Sequence, residues 1–245
     1  MPLLSEIISW GFNLIKCVRN MLYVCKHPVM HEIAMLFNGK GDETLFRAGL
    51  TGGIACGKST VAQMLTAKGA LLLDVDQLAK EVVEPKKPAW KEIVSWLGED
   101  VLTADSSLNR RKIAGIVFNN NQALEKLNKI VHPRVEELLH TRSKELEKLH
   151  PNKIQIWDIP LLFEAGYEDA VDYIIVVASD REDQIQRLKD RDGLSEDEAL
   201  RRIKSQLDLE IKVRAADYVL YNACTKEFLE KQIDVLWEKL KRIKI

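Results

Sequence analysis

Apolar positions follow two alternating periods along most of this chain. Short runs of strand character occur at Thr44–Leu50, Ala70–Leu73, Lys153–Trp157, Tyr173–Val177 and Tyr218–Tyr221, the fourth being the clearest. Between them the spacing turns helical. Val61, Met64 and Leu65 mark one helix, closed by Lys68-Gly69. A long, mostly helical stretch runs from about Gln77 to His150, punctuated by Pro85, Pro88, the Gly98–Asn109 turn region and His132-Pro133. Helical patterning returns at Arg181–Lys189, Glu196–Ala215 and from Lys226 to near the end. Strands alternating with helices predict an α/β fold, a parallel sheet covered on both faces.

The first 44 residues follow a different rule. Leu4, Ile8, Ile15, Val18 and Leu22 fall at steps of three, four or seven, with Ile7, Leu14 and Met21 beside them. This predicts an amphipathic helix with a wide apolar face. Asn13, Lys16, Arg19 and Asn20 interrupt it too closely for a transmembrane span, and it lacks the short clean apolar core of a secretory signal. Three roles stay open: packing on the body, lying at a membrane interface, or serving as a targeting presequence. The turn residues Asn38-Gly39-Lys40-Gly41-Asp42 then mark a linker, giving an extension (1–44) and a main domain (45–245).

Composition narrows the function classes. In 245 residues, 36 basic and 37 acidic side chains give a formal net charge of −1 and no reason to expect a nucleic-acid partner. Cys17, Cys25, Cys56 and Cys224 show no CxxC spacing and read as free thiols of a reducing compartment. His27 and His31 flank a proline and fit no zinc pattern.

One stretch carries specific chemistry. Gly52-Gly53-Ile54-Ala55-Cys56-Gly57-Lys58-Ser59, followed by Thr60, matches G-x-x-x-x-G-K-[ST] between an apolar run and an amphipathic helix. Glycines let successive N–H groups turn toward phosphate oxygens, and the following helix presents its positive end to the same anion. Lys58 suits the β- and γ-phosphates, and the Ser59 hydroxyl suits Mg²⁺. The loop predicts a nucleotide site without saying what receives the phosphate.

Acidic strand ends are the candidates for that. Asp74 and Asp76 close the second strand; one can orient an acceptor hydroxyl, whereas the alternative is a turn or helix cap, Asp76 capping a helix from Gln77. Asp158 ends another strand, where an acidic Mg²⁺ or water partner belongs. Arg187, Arg191, Arg201 and Arg202 cluster on the helices after the clearest strand, a placement suited to a lid over the nucleotide.

Taken in order, GLTGGIACGKST, LLLDVDQLAKEVVEP, LNRRKI, HP, DIPLLFE, QRLKDRD, RRIKSQ and ADYVLYN resemble the dephospho-CoA kinases over about residues 46–222. The resemblance implies a P-loop NTPase three-layer fold with a five-stranded parallel sheet, a helical acceptor-binding insertion (about 77–150) and a helical lid (about 181–215). It implies ATP-dependent phosphorylation of the ribose 3′-hydroxyl of dephospho-CoA, with Mg²⁺. Asp76 is then the base or orienter and Arg187 the lid residue reaching the phosphates, with Arg191 nearby. Asp74, Arg110, His132 and the turn Pro160, Leu161, Leu162 and Glu164 match acceptor-side positions, and Asn222 the segment near adenine. Lys80 and Lys86 depart from the family's usual arginine and glycine, which loosens individual assignments in that region.

Two rival readings remain at this level. One is another small-molecule P-loop kinase, for nucleosides or nucleotides. The other is a nucleotide-switch module of the GTPase type, disfavoured because Asn128-Lys129 and Asn152-Lys153 lack the Asp of N-K-x-D, while Asp190–Gly193 gives a D-x-x-G inside the lid. A cytoplasmic location is expected, with mitochondrial or membrane-associated placement through residues 1–30 as the alternative. The cytoplasmic expectation requires that the full chain and one starting at Asn38 show the same soluble distribution on cell fractionation.

Overall fold

The computed structural model describes residues 46–118, 120–223 and 225–244. The expected N-terminal amphipathic helix, the linker, and Cys17, Cys25 and Cys224 lie outside them. In chain order the elements are β1 (Arg47–Gly52), α1 (Lys58–Ala67), β2 (Leu71–Asp74), α2 (Val75–Glu81), α3 (Pro88–Leu97), α4 (Arg110–Phe118) and α5 (Asn121–Leu149). They continue with β3 (Gln155–Asp158), β4 (Tyr173–Ala178), α6 (Arg181–Asp192), α7 (Glu196–Lys204), α8 (Leu209–Arg214), β5 (Tyr218–Tyr221) and α9 (Lys226–Ile243). Two compact units emerge among the described residues: 46–73 with 145–245, and 74–144.

The larger unit is built on the expected five-stranded sheet, ordered β2-β3-β1-β4-β5. β1 pairs in parallel with β3 and β4, and β4 with β5. At the β2 edge the Leu71 N–H donates to the Ile154 carbonyl at 2.9 Å. Every residue of β4 is buried, as a strand covered on both faces must be. Leu229, Ile233, Leu236 and Leu240 repeat at four-, three- and four-residue steps along α9, and all four join the core formed by Leu50, Val61, Leu65, Ile156, Ile175 and Leu220.

β1 extends to Gly52, two residues beyond the predicted end at Leu50. Its pairing with β4 explains this, because Gly52 stands opposite Val177 and only a residue without Cβ fits there. A Cβ on Gly52 would lie 2.4 Å from the Val177 carbonyl oxygen.

The segment 196–215 is two helices rather than one continuous helix. Ser205 ends α7, and Asp208 caps α8 by accepting from the Glu210 N–H at 2.9 Å. Within the smaller unit, α5 runs through His132-Pro133, where an interruption was expected. The ring removes one i→i−4 bond; the Arg134 side chain donates to the Ile130 carbonyl in that turn. α2 starts earlier than expected, at Val75. Its cap is Asp74, not Asp76, because the extended backbone of Asp74 lets its carboxylate accept from the Gln77 N–H at 3.1 Å, which leaves Asp76 in the first helical turn.

Replacing Gly52 by Ala forces backbone apart at the sheet centre, since the obstructing atom is a main-chain oxygen. The expected cost is about 1–3 kcal/mol, read as a lowered midpoint in thermal unfolding against the parent chain.

Candidate active site

The loop between β1 and α1 has its backbone reversed at two positions, Ala55 (φ +60°) and Gly57 (φ +89°). Such a course turns N–H groups to the concave side, and the first amides of α1, at Lys58 and Ser59, have no intrahelical acceptor. Turning amides inward has a consequence for the carbonyls, which must face outward and find donors. They do so in succession. The Ile54 carbonyl accepts from Gln184 Nε2 at 2.7 Å, that of Ala55 from Arg187 Nη1 at 3.1 Å, and that of Cys56 from Asn222 Nδ2 at 2.9 Å. The Ile54 N–H donates to Gln206 Oε1 at 2.7 Å.

Gly57 is glycine for two reasons. Its φ disfavours other residues, and a Cβ would stand 2.1 Å from Asn222 Nδ2. Asn222 is itself fixed, its N–H donating to the Ala178 carbonyl at 2.8 Å and its carbonyl accepting from Arg187 Nη2 at 2.8 Å. The Cys56 side chain is fully buried, and burial pushes its thiol up, away from the reactive thiolate.

Lys58 forms an ion pair with Asp158, the last residue of β3. Asp158 is 7% exposed and stands opposite Leu50 in the β1 register, at the carboxyl ends of the parallel strands where ligands of such sheets bind. Thr51 Oγ1 donates to the Pro160 carbonyl at 3.1 Å, tying the following turn to β1. Leu161 and Leu162 of that turn are buried; Leu162 packs beside Gly49. Glu164 faces inward too, with Oε1 accepting from the Leu207 N–H at 3.0 Å and paired with Lys212 Nζ at 2.7 Å.

On α6, Arg187 also stands 3.7 Å from Asp183. Arg191 grips Asp192 with Nε and Nη2 at 2.9 and 3.0 Å, and Arg202 reaches the same carboxylate at 2.6 Å. Burial pushes the Asp192 carboxyl up, but hydrogen bonding to Arg191 and the charges of Arg191 and Arg202 outweigh it and hold it below the usual range.

The predicted loop residues Gly52–Thr60, Asp158, Arg187 and Asn222 are thus brought together in the larger unit. Asp74, Asp76, Arg110 and His132 belong to the smaller one. There Asp76 is half-buried in the first turn of α2, two residues after β2. Arg110 opens α4 and His132 lies within α5. Desolvation lowers both the Arg110 guanidinium and the His132 imidazole, so His132 is neutral at pH 7. Sequence reasoning missed Gln184, Gln206 and Lys212. Gln184 was visible as a polar residue on the inward face of α6; nothing marked the other two.

The site's donor set suits a nucleotide with Mg²⁺. The loop offers inward amides and a helix N-terminus for phosphates, and Ser59 and Asp158 offer hard oxygens. Parallel sheet, glycine loop and strand-end Lys–Asp pair together define a P-loop nucleotide-binding protein.

Comparison with known proteins narrows that class. The family model for dephospho-CoA kinase matches residues 46–227. A dephospho-CoA kinase of Syntrophus aciditrophicus is 43% identical over 196 residues, covering 80% of this chain and 83% of that protein. One from Corynebacterium efficiens is 41% identical over 201 residues, covering 82% of this chain and all of that protein. Among solved structures, TT1252 from Thermus thermophilus superposes with a TM-score of 0.69 at 33% identity, covering 81% of this chain and 99% of that one. Dephospho-CoA kinase from Campylobacter jejuni gives 0.63 at 26% identity, covering 81% and 98%. This chain belongs to the dephospho-CoA kinase family.

Proposed function

We propose that the chain performs its family's reaction, transfer of the γ-phosphoryl group of ATP to the ribose 3′-hydroxyl of dephospho-CoA, with the following division of labour among its residues. The amides of Ala55, Gly57, Lys58 and Ser59, with the N-terminus of α1, bind the phosphates and fix them in place, while those of Cys56 and Thr60 close turns on the Gly53 and Gly57 carbonyls. Lys58, held by Asp158, supplies positive charge to the β- and γ-phosphates. Ser59 would hold Mg²⁺, which neutralises charge on the phosphates when bound. Arg187 lies against the loop's carbonyl side and adds a fixed positive charge there, with Arg191 following on the same helix. Asn222 holds the loop's shape from the end of β5, which suits the assignment of its segment to the nucleotide side.

On the acceptor side, Asp76 orients the 3′-hydroxyl and takes its proton as the phosphoryl group moves across. Asp74 caps the helix that carries Asp76 and so fixes its backbone. Arg110 and His132, on α4 and α5, serve binding of the acceptor, as does the turn Pro160–Leu162. Much of the rate gain comes from alignment and charge stabilisation, since a loose phosphoryl transition state asks for little covalent help. Residues 77–150 form the acceptor-binding part and 181–215 the lid.

The carrying observation is the loop whose carbonyls at Ile54, Ala55 and Cys56 are each held by a side-chain donor, with the reversed backbone at Ala55 and Gly57 leading into the N-terminus of α1. Among the described residues no helix is long and apolar enough to cross a membrane.

ADP release should require dephospho-CoA and stay at background with nucleosides or nucleoside monophosphates. In the same assay Asp76→Asn is expected to lower kcat by at least about 100-fold while direct titration shows Mg·ATP affinity within about threefold, under half of one tenfold step of 1.4 kcal/mol. Near-normal turnover by that variant removes Asp76 from the base role.

A further inference from the structure

Glu164 lies in a turn where the resemblance implies contact with the acceptor, yet its side chain is engaged elsewhere. It is 5% exposed, and its Oε1 accepts from the Leu207 N–H at 3.0 Å and faces Lys212 Nζ at 2.7 Å, on an ammonium that is itself fully buried. Burying two charges costs more desolvation than an apolar pair would, so stability alone does not explain them. What the pair fixes is geometry. Leu207 lies in the junction between α7 and α8, and Lys212 within α8, the helix that Asp208 caps.

That junction also reaches the phosphate loop. Gln206, adjacent to Leu207, accepts the Ile54 N–H at 2.7 Å, while Gln184 donates to the Ile54 carbonyl at 2.7 Å. One peptide residue of the loop is therefore gripped on both its polar groups by lid side chains. Leu209, the first residue of α8, packs beside Gly53, and a Cβ on Gly53 would stand 2.7 Å from Gln184 Nε2 and 3.5 Å from Leu209 Cδ1.

We propose that Glu164 is a positioning residue for nucleotide binding rather than an acceptor ligand: through Lys212 and Leu207 it fixes the α7–α8 junction so that Gln206 holds the Ile54 amide and sets the course of the loop. This rests on the reading of the loop as the ATP-phosphate site. Removing Glu164 acts on ATP, leaving the acceptor's binding steps intact. Its effect also passes through Gln206, so the two positions are coupled.

The test is direct titration of Mg·ATP by calorimetry, alongside KM for dephospho-CoA, for Gln206→Met, for Glu164→Gln with Lys212→Met, and for all three substitutions together. The paired substitution removes both charges at once and avoids the destabilising unpaired buried ammonium that Glu164→Gln alone leaves. The ATP dissociation constant is expected to rise about tenfold for Gln206→Met and for the pair, on the scale of one lost hydrogen bond. The triple variant should be no weaker than about twofold beyond either, because coupled residues do not add. KM for dephospho-CoA should stay within about twofold, since uniform binding of that substrate is untouched.

Unchanged ATP affinity in Gln206→Met overturns the proposal, whatever the other variants do. So does a raised KM for dephospho-CoA with normal ATP affinity in the pair, which makes Glu164 an acceptor ligand. Full additivity in the triple variant separates Glu164 from Gln206 and overturns it too. A parent chain that binds no Mg·ATP overturns both this proposal and the phosphate-site reading, whereas with normal parent binding a negative result counts against the role of Glu164 alone.

Discussion

A backbone that offers its amides to an anion must send its carbonyls the other way. In the loop from Gly52 to Ser59 this constraint organises much of the larger unit. Ile54, Ala55 and Cys56 present three outward carbonyls in a row, and each is met by a side-chain donor from a different position: Gln184, Arg187 and Asn222. Two of these come from α6, one turn apart, and the third from the end of β5. An unpaired buried carbonyl costs of the order of 1–3 kcal/mol, so the α6 donors and the β5 end are needed for the loop to keep its shape before any nucleotide arrives. The loop's reversed backbone is therefore matched by a dense polar support behind it.

This division explains what was legible in the sequence. Periodicity alone located the five strands, because each is a short, largely apolar run, and the loop pattern located the phosphate site. Boundaries failed where a tertiary contact outweighed the local pattern. β1 runs on to Gly52 because β4 lies close enough to exclude a side chain there, a fact about Val177 that residues 44–52 do not contain. The α7–α8 break was hidden because Ser205 to Asp208 read as helix by spacing, while their polar groups are drawn to Ile54 and Glu164. Pro133 misled in the opposite direction: its helix is long enough to survive one missing bond. Gln206 was the least legible, since a glutamine between two helices looks like any surface glutamine until its partner is known.

The junction of α6 and α7 shows how local charge is kept from interfering. Arg191 and Arg202 converge on the single carboxylate of Asp192, which is nearly buried at the end of α6. Two cations facing one anion hold that carboxyl below its ordinary range, so it stays ionised at neutral pH. The sign follows: a depressed native value stabilises the fold above the unfolded value, and the gain is lost as pH falls through the native one. The anchor is thus intact wherever ATP carries its full charge. Both arginines are held at a defined place without being neutralised, since two positive charges share one negative charge.

Glu164 and Lys212 apply a different device to the neighbouring turn. An apolar pair would bury area there at lower desolvation cost, but apolar contacts are nondirectional and tolerate sliding. A carboxylate that accepts from the Leu207 N–H and is ion-paired with the Lys212 ammonium does not tolerate it: displacing the α7–α8 junction breaks the alignment of that N–H. Directionality matters at this place because the next residue, Gln206, must meet a single N–H of a loop whose geometry is set by hydrogen bonds of 2.7–3.1 Å. Positional error at the junction passes directly into that loop. A carboxylate holding the N–H of the adjacent Leu207 is the form of restraint that limits it, and this accounts for charge where burial by itself argues for leucine.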